Sequence, residues 1–65
     1  MSMTKQQARR LIVGLAKHLK KMGFDSSFFK EKLKNRNFDD HYLEAYDLIQ
    51  DEMTHVYAVV WGWDR

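Results

Sequence analysis

Residues 42–63 read YLEAYDLIQDEMTHVYAVVWGW, and the spacing of the apolar residues in this stretch decides the fold. Large apolar side chains recur at alternating intervals of four and three residues, at Tyr42, Tyr46, Ile49, Met53, Val56, Val60 and Trp63. This repeat places them along one narrow face of an α-helix, as in helices that pack side by side. We therefore predict a long amphipathic helix over about residues 40–61.

The end of this stretch has a second interpretation. Residues 56–61, VYAVVW, are mostly β-branched or aromatic, a composition that favours strands. A single strand in an otherwise helical chain has no partner unless a second subunit supplies one. Helix is therefore the prediction for these residues, and a strand paired with a second copy is the alternative.

A first helix is predicted over about residues 4–22. Thr4 and Gln7 have the spacing of a capping box, in which each side chain bonds the backbone N–H of the other residue. Apolar side chains then follow on one helical face, at Ala8, Ile12, Leu15, Leu19 and Met22. Gly23 is expected to end the helix, because glycine readily adopts the left-handed conformation found just past many helix ends.

A second, shorter helix is predicted over about residues 26–34. Asp25 is its expected N-cap, and Phe24 and Phe29 occupy the two positions of a hydrophobic staple. The same order of residues recurs at Phe38-Asp39, just before the long third helix. Shared capping chemistry explains this recurrence better than an internal repeat does, because nothing else in the two segments aligns.

Together these helices predict one all-α domain over residues 1–65, with three helices and a long amphipathic C-terminal helix that a second copy can pair with. The chain has no cysteine and no proline, so neither a disulfide nor a cysteine-based zinc site stabilises its small core. Its longest apolar runs fall well short of the ~20 residues of a membrane span. The run at residues 11–16 is followed by KHLKK in place of a signal-peptide cleavage site, so we expect a cytoplasmic protein without a membrane partner.

The net charge of +2 conceals a strong separation of charge along the chain. Residues 1–36 contain ten Lys and Arg residues and two acids, whereas residues 37–65 contain one Arg and seven acids. On a helical projection, the cations of the first helix lie opposite the apolar face of that helix. Acids of the third helix likewise lie opposite the apolar face of the third helix. If the two apolar faces pack together, we expect the basic and acidic faces to point apart and not to pair directly.

An exposed basic face of this kind is typical of nucleic-acid binding, because clustered cations displace the counterions around phosphates. The alternative is a solvated helix face that is rich in lysine because lysine is a good helix former. We predict a nucleic-acid-binding face, for DNA or RNA, on the first two helices and the residue that follows them, formed by Arg9, Arg10, Lys17, Lys20, Lys21, Lys30, Lys34 and Arg36.

The C-terminal end offers a second surface. From Val56 to Trp63 the third helix carries no charged residue. A helix that is apolar on every side is usually covered by other parts of the protein or by a partner. One explanation is an interface with a protein partner or with a second copy, giving a homodimer, formed by Met53, Val56, Tyr57, Val60, Trp61 and Trp63. The other explanation is that the two tryptophans fold back over the core and close it.

The sequence offers little for catalysis. It has no cysteine, its three serines lie at a terminus and a helix start, and its three isolated glycines form no phosphate-binding loop. Glu52 and His55 have the spacing of one half of a di-iron carboxylate motif, but such sites need a second motif and further glutamates. We therefore predict a small non-enzymatic regulatory binding module with no cofactor and no metal. Nucleic acid is the expected partner, and a protein-binding inhibitor or adaptor is the alternative.

Overall fold

The computed structural model describes residues 3–62, and every regular element within that range is a helix. In chain order these are α1 (Lys5–Lys21), α2 (Ser26–Lys34), α3 (Asp40–Leu48), a 3₁₀ turn (Gln50–Glu52) and α4 (Met53–Trp61). The predicted all-α class is confirmed, and residues 56–61 are helical. None of these helices is both long enough and apolar enough to span a membrane.

Both ends of α1 are fixed by the local chemistry that the sequence predicts. At its start, Thr4 Oγ1 accepts a hydrogen bond from the Gln7 N–H at 3.1 Å, and Gln7 Oε1 accepts one from the Thr4 N–H at 2.9 Å. At its end, the N–H groups of Gly23 and Phe24 bond carbonyls of the last turn and complete a Schellman motif. Gly23 has a φ of 97°, which glycine adopts without the steric penalty of a side chain.

The predicted N-cap of α2 is confirmed, but the aromatic partner of Phe24 is Phe28 and not the predicted Phe29. The end of the helix has a feature that the sequence does not reveal. Asp25 caps the helix by accepting a hydrogen bond from the Phe28 N–H at 2.9 Å. The ring of Phe24 stacks on Phe28, with centroids 4.2 Å apart, while Phe29 is buried in the core. After the last turn, Arg36 takes the left-handed position of a second Schellman motif, with a φ of 53°. A side chain is strained at this position, where glycine is the usual residue.

The prediction of one continuous helix over residues 40–61 is wrong, because α3 ends at Leu48 and α4 begins at Met53. Residues 3–62 therefore contain four α-helices in place of the three predicted. The charges near the break explain its place. In a continuous helix, Asp51 and Glu52 would be interior residues with no stabilising dipole. With the break, Asp51 and Glu52 directly precede α4, where the positive end of the helix dipole stabilises a carboxylate.

The apolar faces of all four helices meet in one core. α1 packs against α3 and α4 along the fully buried Ile12 and Ala16, and α2 contributes Phe29. The ring of Phe29 has its centroid within 6.2 Å of three other aromatic rings, those of Phe38, Tyr57 and Trp61. Of the apolar face predicted for the C-terminal stretch, Ile49, Met53, Val56 and Val60 are buried in this core, and Tyr42 and Tyr46 are half-buried. The last predicted member of that face, Trp63, lies outside the described residues.

Candidate nucleic-acid interface

The cations at the start of α1 are paired with acids at the break between α3 and α4. Lys5 Nζ lies 3.1 Å from a carboxylate oxygen of Asp51 and 3.6 Å from one of Glu52. Arg9 donates to both carboxylate oxygens of Glu52, at 2.6 and 3.2 Å. The expectation that the basic and acidic faces point apart is therefore wrong here. Both acids belong to the 3₁₀ turn, and a projection that assumes a continuous helix places Asp51 on the side away from α1.

A third cation is paired with an acid of α3 that lies four residues before Asp51. Arg36 donates to both carboxylate oxygens of Asp47 on α3, at 3.2 and 3.0 Å. The hydrogen bonds from Arg36 lower the pKa of Asp47, and those from Arg9 lower the pKa of Glu52. Both carboxyl groups are thus held in the ionised form, and both arginines are committed to partners within the chain.

The remaining cations of α1 form an exposed set. Among residues 3–62 no acid pairs with Arg10, Lys17, Lys20 or Lys21, and all four are exposed. On a helical projection, three of them fall within an arc of about 40° opposite the buried face of α1. These three residues, Arg10, Lys17 and Lys21, are called the basic stripe below. Lys20 lies nearer the edge of the core.

On α2, the structure leaves both predicted cations at the surface. Lys30 and Lys34 are exposed and lie one turn apart on the same side of the helix. A neighbouring cation that the sequence prediction left out has a different role. Lys32 Nζ lies 5.6 Å from the centroid of the Phe28 ring and 4.9 Å from that of Phe38, within the range of cation–π attraction. Of the eight predicted residues, Arg9 and Arg36 are therefore held in cross-helix pairs, whereas Arg10, Lys17, Lys20, Lys21 and Lys34 have no acidic partner among residues 3–62.

A shallow groove of about 380 Å³ runs beside the basic stripe, between α1 and the first turn of α3. Its lining comprises Arg10, Leu11, Gly14, Leu15, His18 and Tyr42. Gly14 lies on the exposed side of α1, and a Cβ added there would meet no atom within 4 Å. The groove thus combines a cation, two half-buried leucines and an aromatic ring around a stretch of uncovered helix backbone.

The side chains predicted to form a protein interface lie mostly inside the chain. Four of them are no more than 6% exposed: Met53, Val56, Tyr57 and Val60. Trp61 is half-buried, and its indole N–H donates to the carbonyl oxygen of Phe24 at 3.2 Å. Trp63 lies outside the described residues. The interface therefore stays a prediction, and Trp61 is its most exposed member within the described range.

The described part of the chain, residues 3–62, contains no group of three or more His, Asp or Glu side chains that could hold a metal ion. Glu52 bonds Arg9 and Lys5, and His55 is exposed on α4. Glu52 is therefore part of an ion-pair cluster, and His55 lies in solvent; their spacing does not bring them together with further ligands in the described range.

No protein family, no curated protein and no solved structure gives a significant match to this chain.

Proposed function

We propose that this chain is a small non-enzymatic regulatory module that binds nucleic acid through the basic stripe of α1. Lys20, and the side of α2 that carries Lys30 and Lys34, extend the contact. The observation that carries the proposal is the contrast between the two groups of cations. Three cations pair with acids across helices, whereas the stripe holds three exposed cations on one face without an acidic partner among residues 3–62.

The energetics of the stripe favour an anionic partner. Lys17 and Lys21 lie one helical turn apart, and like charges at this spacing repel each other. Bound phosphates remove this repulsion and release the counterions that surround a nucleic acid. Three phosphate contacts predict that the logarithm of the binding constant falls with the logarithm of the salt concentration with a slope of about −3. Contacts from Lys20 and from α2 make the slope steeper.

The experiment is a fluorescence anisotropy titration of a labelled short DNA duplex, and of a single-stranded RNA, at several salt concentrations. The test variant replaces the three residues of the stripe with glutamine. We expect it to bind much more weakly than the natural chain. We also expect its salt slope to be less negative by about three. Circular dichroism checks that the variant remains helical, as expected because all three side chains are exposed.

The matched control also removes three positive charges, but from the paired cations: Lys5→Gln, Arg9→Gln and Arg36→Gln. Both triple variants have the same net charge, so a general effect of charge is equal in the two. We expect the control to keep most of the salt slope, because its cations already neutralise acids of the chain. Absence of binding by the natural chain at low salt contradicts the proposal, as does an equal loss of slope in the two variants.

The other expectations from the sequence stay predictions. A protein-binding inhibitor or adaptor would use the C-terminal aromatic surface, of which Trp61 keeps a partly exposed side chain in the described range. A homodimer through the C-terminal stretch would have to use surface that α1 does not cover. The mass in solution tests the homodimer, and a location in the cytoplasm is likewise untested.

A further inference from the structure

Gly14 lies in the interior of α1, where glycine is a poorer helix former than alanine. Nothing in the described chain requires a glycine there. Its backbone is helical and does not have the positive φ of Gly23 and Gly62. A Cβ at this position would meet no atom within 4 Å, so close packing against another helix is not the reason either. The unfavourable residue therefore has no explanation within residues 3–62.

Gly14 lies on the same side of α1 as the basic stripe. Arg10 precedes it by one turn, Lys17 follows it by three residues, and Lys21 follows it by seven. With a rise of about 1.5 Å per residue, Arg10 and Lys17 lie about 10 Å apart along the helix, with Gly14 between them. The groove of about 380 Å³ opens at the same point. The interruption in the row of side chains thus coincides with the cations that lack acidic partners.

We propose that Gly14 is the point where the sugar–phosphate backbone of a nucleic acid approaches α1 most closely. Arg10 and Lys17 bind phosphates on either side of this point, and the groove receives the strand between them. Glycine commonly serves where a ligand must approach a protein backbone closely, because it has no side chain to hold the ligand away. This inference rests on the proposed function and adds the position at which the nucleic acid lies on α1.

The test uses variants that change the shape of this position without changing the charge of the chain. Gly14→Ala adds one methyl group, and Gly14→Gln adds a long neutral side chain. We expect both to raise the thermal midpoint, because alanine and glutamine are better helix formers than glycine. In the anisotropy titration with the DNA duplex, we expect Gly14→Gln to bind roughly tenfold more weakly, and Gly14→Ala to show a smaller loss in the same direction.

The salt dependence makes the test specific. Gly14→Gln alters no charge. If its salt slope is less negative than that of the natural chain by about one, the variant has lost a phosphate contact. The control is Val59→Gln, which introduces the same side chain at a 52% exposed position of α4. We expect the control to bind with the natural affinity and slope.

Two results overturn the inference, and they are distinguishable. If the natural chain binds and Gly14→Gln binds equally well with the same slope, Gly14 is not the point of approach, and the proposed function stands. If the natural chain does not bind the duplex or the RNA even at low salt, the proposed function and the inference both fail. Weaker binding together with a higher thermal midpoint supports the inference, because unfolding cannot explain that combination.

Discussion

Arg36 combines a left-handed backbone, with a φ of 53°, and two hydrogen bonds to the carboxylate of Asp47 at 3.2 and 3.0 Å. The backbone conformation destabilises the folded chain, because a Cβ in this region lies close to a carbonyl oxygen. The side chain acts in the opposite direction, since it joins the end of α2 to α3. The two contributions come from one residue, and substitution separates them.

We predict that Arg36→Gly is more stable than Arg36→Ala. Both variants lose the ion pair with Asp47, but only alanine keeps the steric penalty of the left-handed backbone, which is about 1 kcal/mol. Denaturant unfolding of the two variants measures this difference directly. Asp47→Asn serves as the control, because it removes the ion pair and leaves the backbone of Arg36 unchanged. Equal midpoints for the glycine and alanine variants would contradict the prediction.

The ion pairs make the stability depend on pH in the acid range. Hydrogen bonds from Arg9 hold the pKa of Glu52 below its ordinary value of 4.5, and those from Arg36 hold the pKa of Asp47 below 3.8. In the unfolded chain both groups return to their ordinary values, so the unfolded state binds more protons than the folded state near these pH values. The stabilisation is therefore complete above about pH 4.5 and is lost as the pH falls through the lowered values.

The measurement is the urea midpoint as a function of pH. We expect a plateau near neutral pH and a decrease that begins near pH 4.5. The double variant Glu52→Gln with Asp47→Asn is expected to start from a lower midpoint and to lose less on acidification, because its pairs are already absent. A decrease as steep as that of the natural chain would show that other groups produce the acid sensitivity.

The helix ends were predictable because capping chemistry is local. Thr4 and Gln7 bond each other across three residues, and Gly23 takes the conformation that its lack of a side chain permits. Such signals lie within one turn and do not depend on the rest of the fold. The left-handed Arg36 was not predictable in this way, because no glycine marks the end of α2.

The pairing of charges was harder to predict because it depends on how distant helices are rotated. Arg9 and Glu52 are 43 residues apart, and whether they meet depends on how α1 packs against the C-terminal helices. A helical projection that assumes one straight helix over residues 40–61 places Asp51 opposite the apolar face, whereas in the structure its carboxylate lies 3.1 Å from Lys5 Nζ. Asp51 was one signal of the break, because a continuous helix has no stabilising place for it in its interior.

Asp25 and Asp39 provide a direct comparison between two residues that the sequence presents alike. Each follows a phenylalanine and precedes a helix, but Asp25 caps α2 with a hydrogen bond to the Phe28 N–H, and Asp39 makes no side-chain capping bond. We predict that Asp25→Ala destabilises the chain by about 1 kcal/mol. Asp39→Ala is expected to have a clearly smaller effect in the same denaturant titration, and equal effects would mean that Asp39 forms its cap in solution.

Phe28 and Phe29 are adjacent in the chain and differ completely in their surroundings. Phe29 is fully buried among three aromatic rings, whereas Phe28 is 37% exposed and covers Phe24 at the surface. Truncation of a buried phenylalanine to alanine typically destabilises a protein by about 3–5 kcal/mol, because it removes apolar contacts and leaves a cavity. A domain of this size has a total stability of roughly 3–10 kcal/mol, so this loss takes most or all of it.

We therefore predict that Phe29→Ala leaves much of the chain unfolded at room temperature, and that Phe28→Ala remains folded with a modestly lower midpoint. Far-ultraviolet circular dichroism during thermal melting distinguishes the two outcomes. Phe29→Leu provides the quantitative comparison, because it keeps most of the apolar volume and is expected to remain folded enough for a complete denaturant curve. Similar stability losses for Phe28→Ala and Phe29→Ala would contradict the central place of Phe29, since the core depends on its ring to join α2 to Tyr57 and Trp61 of α4.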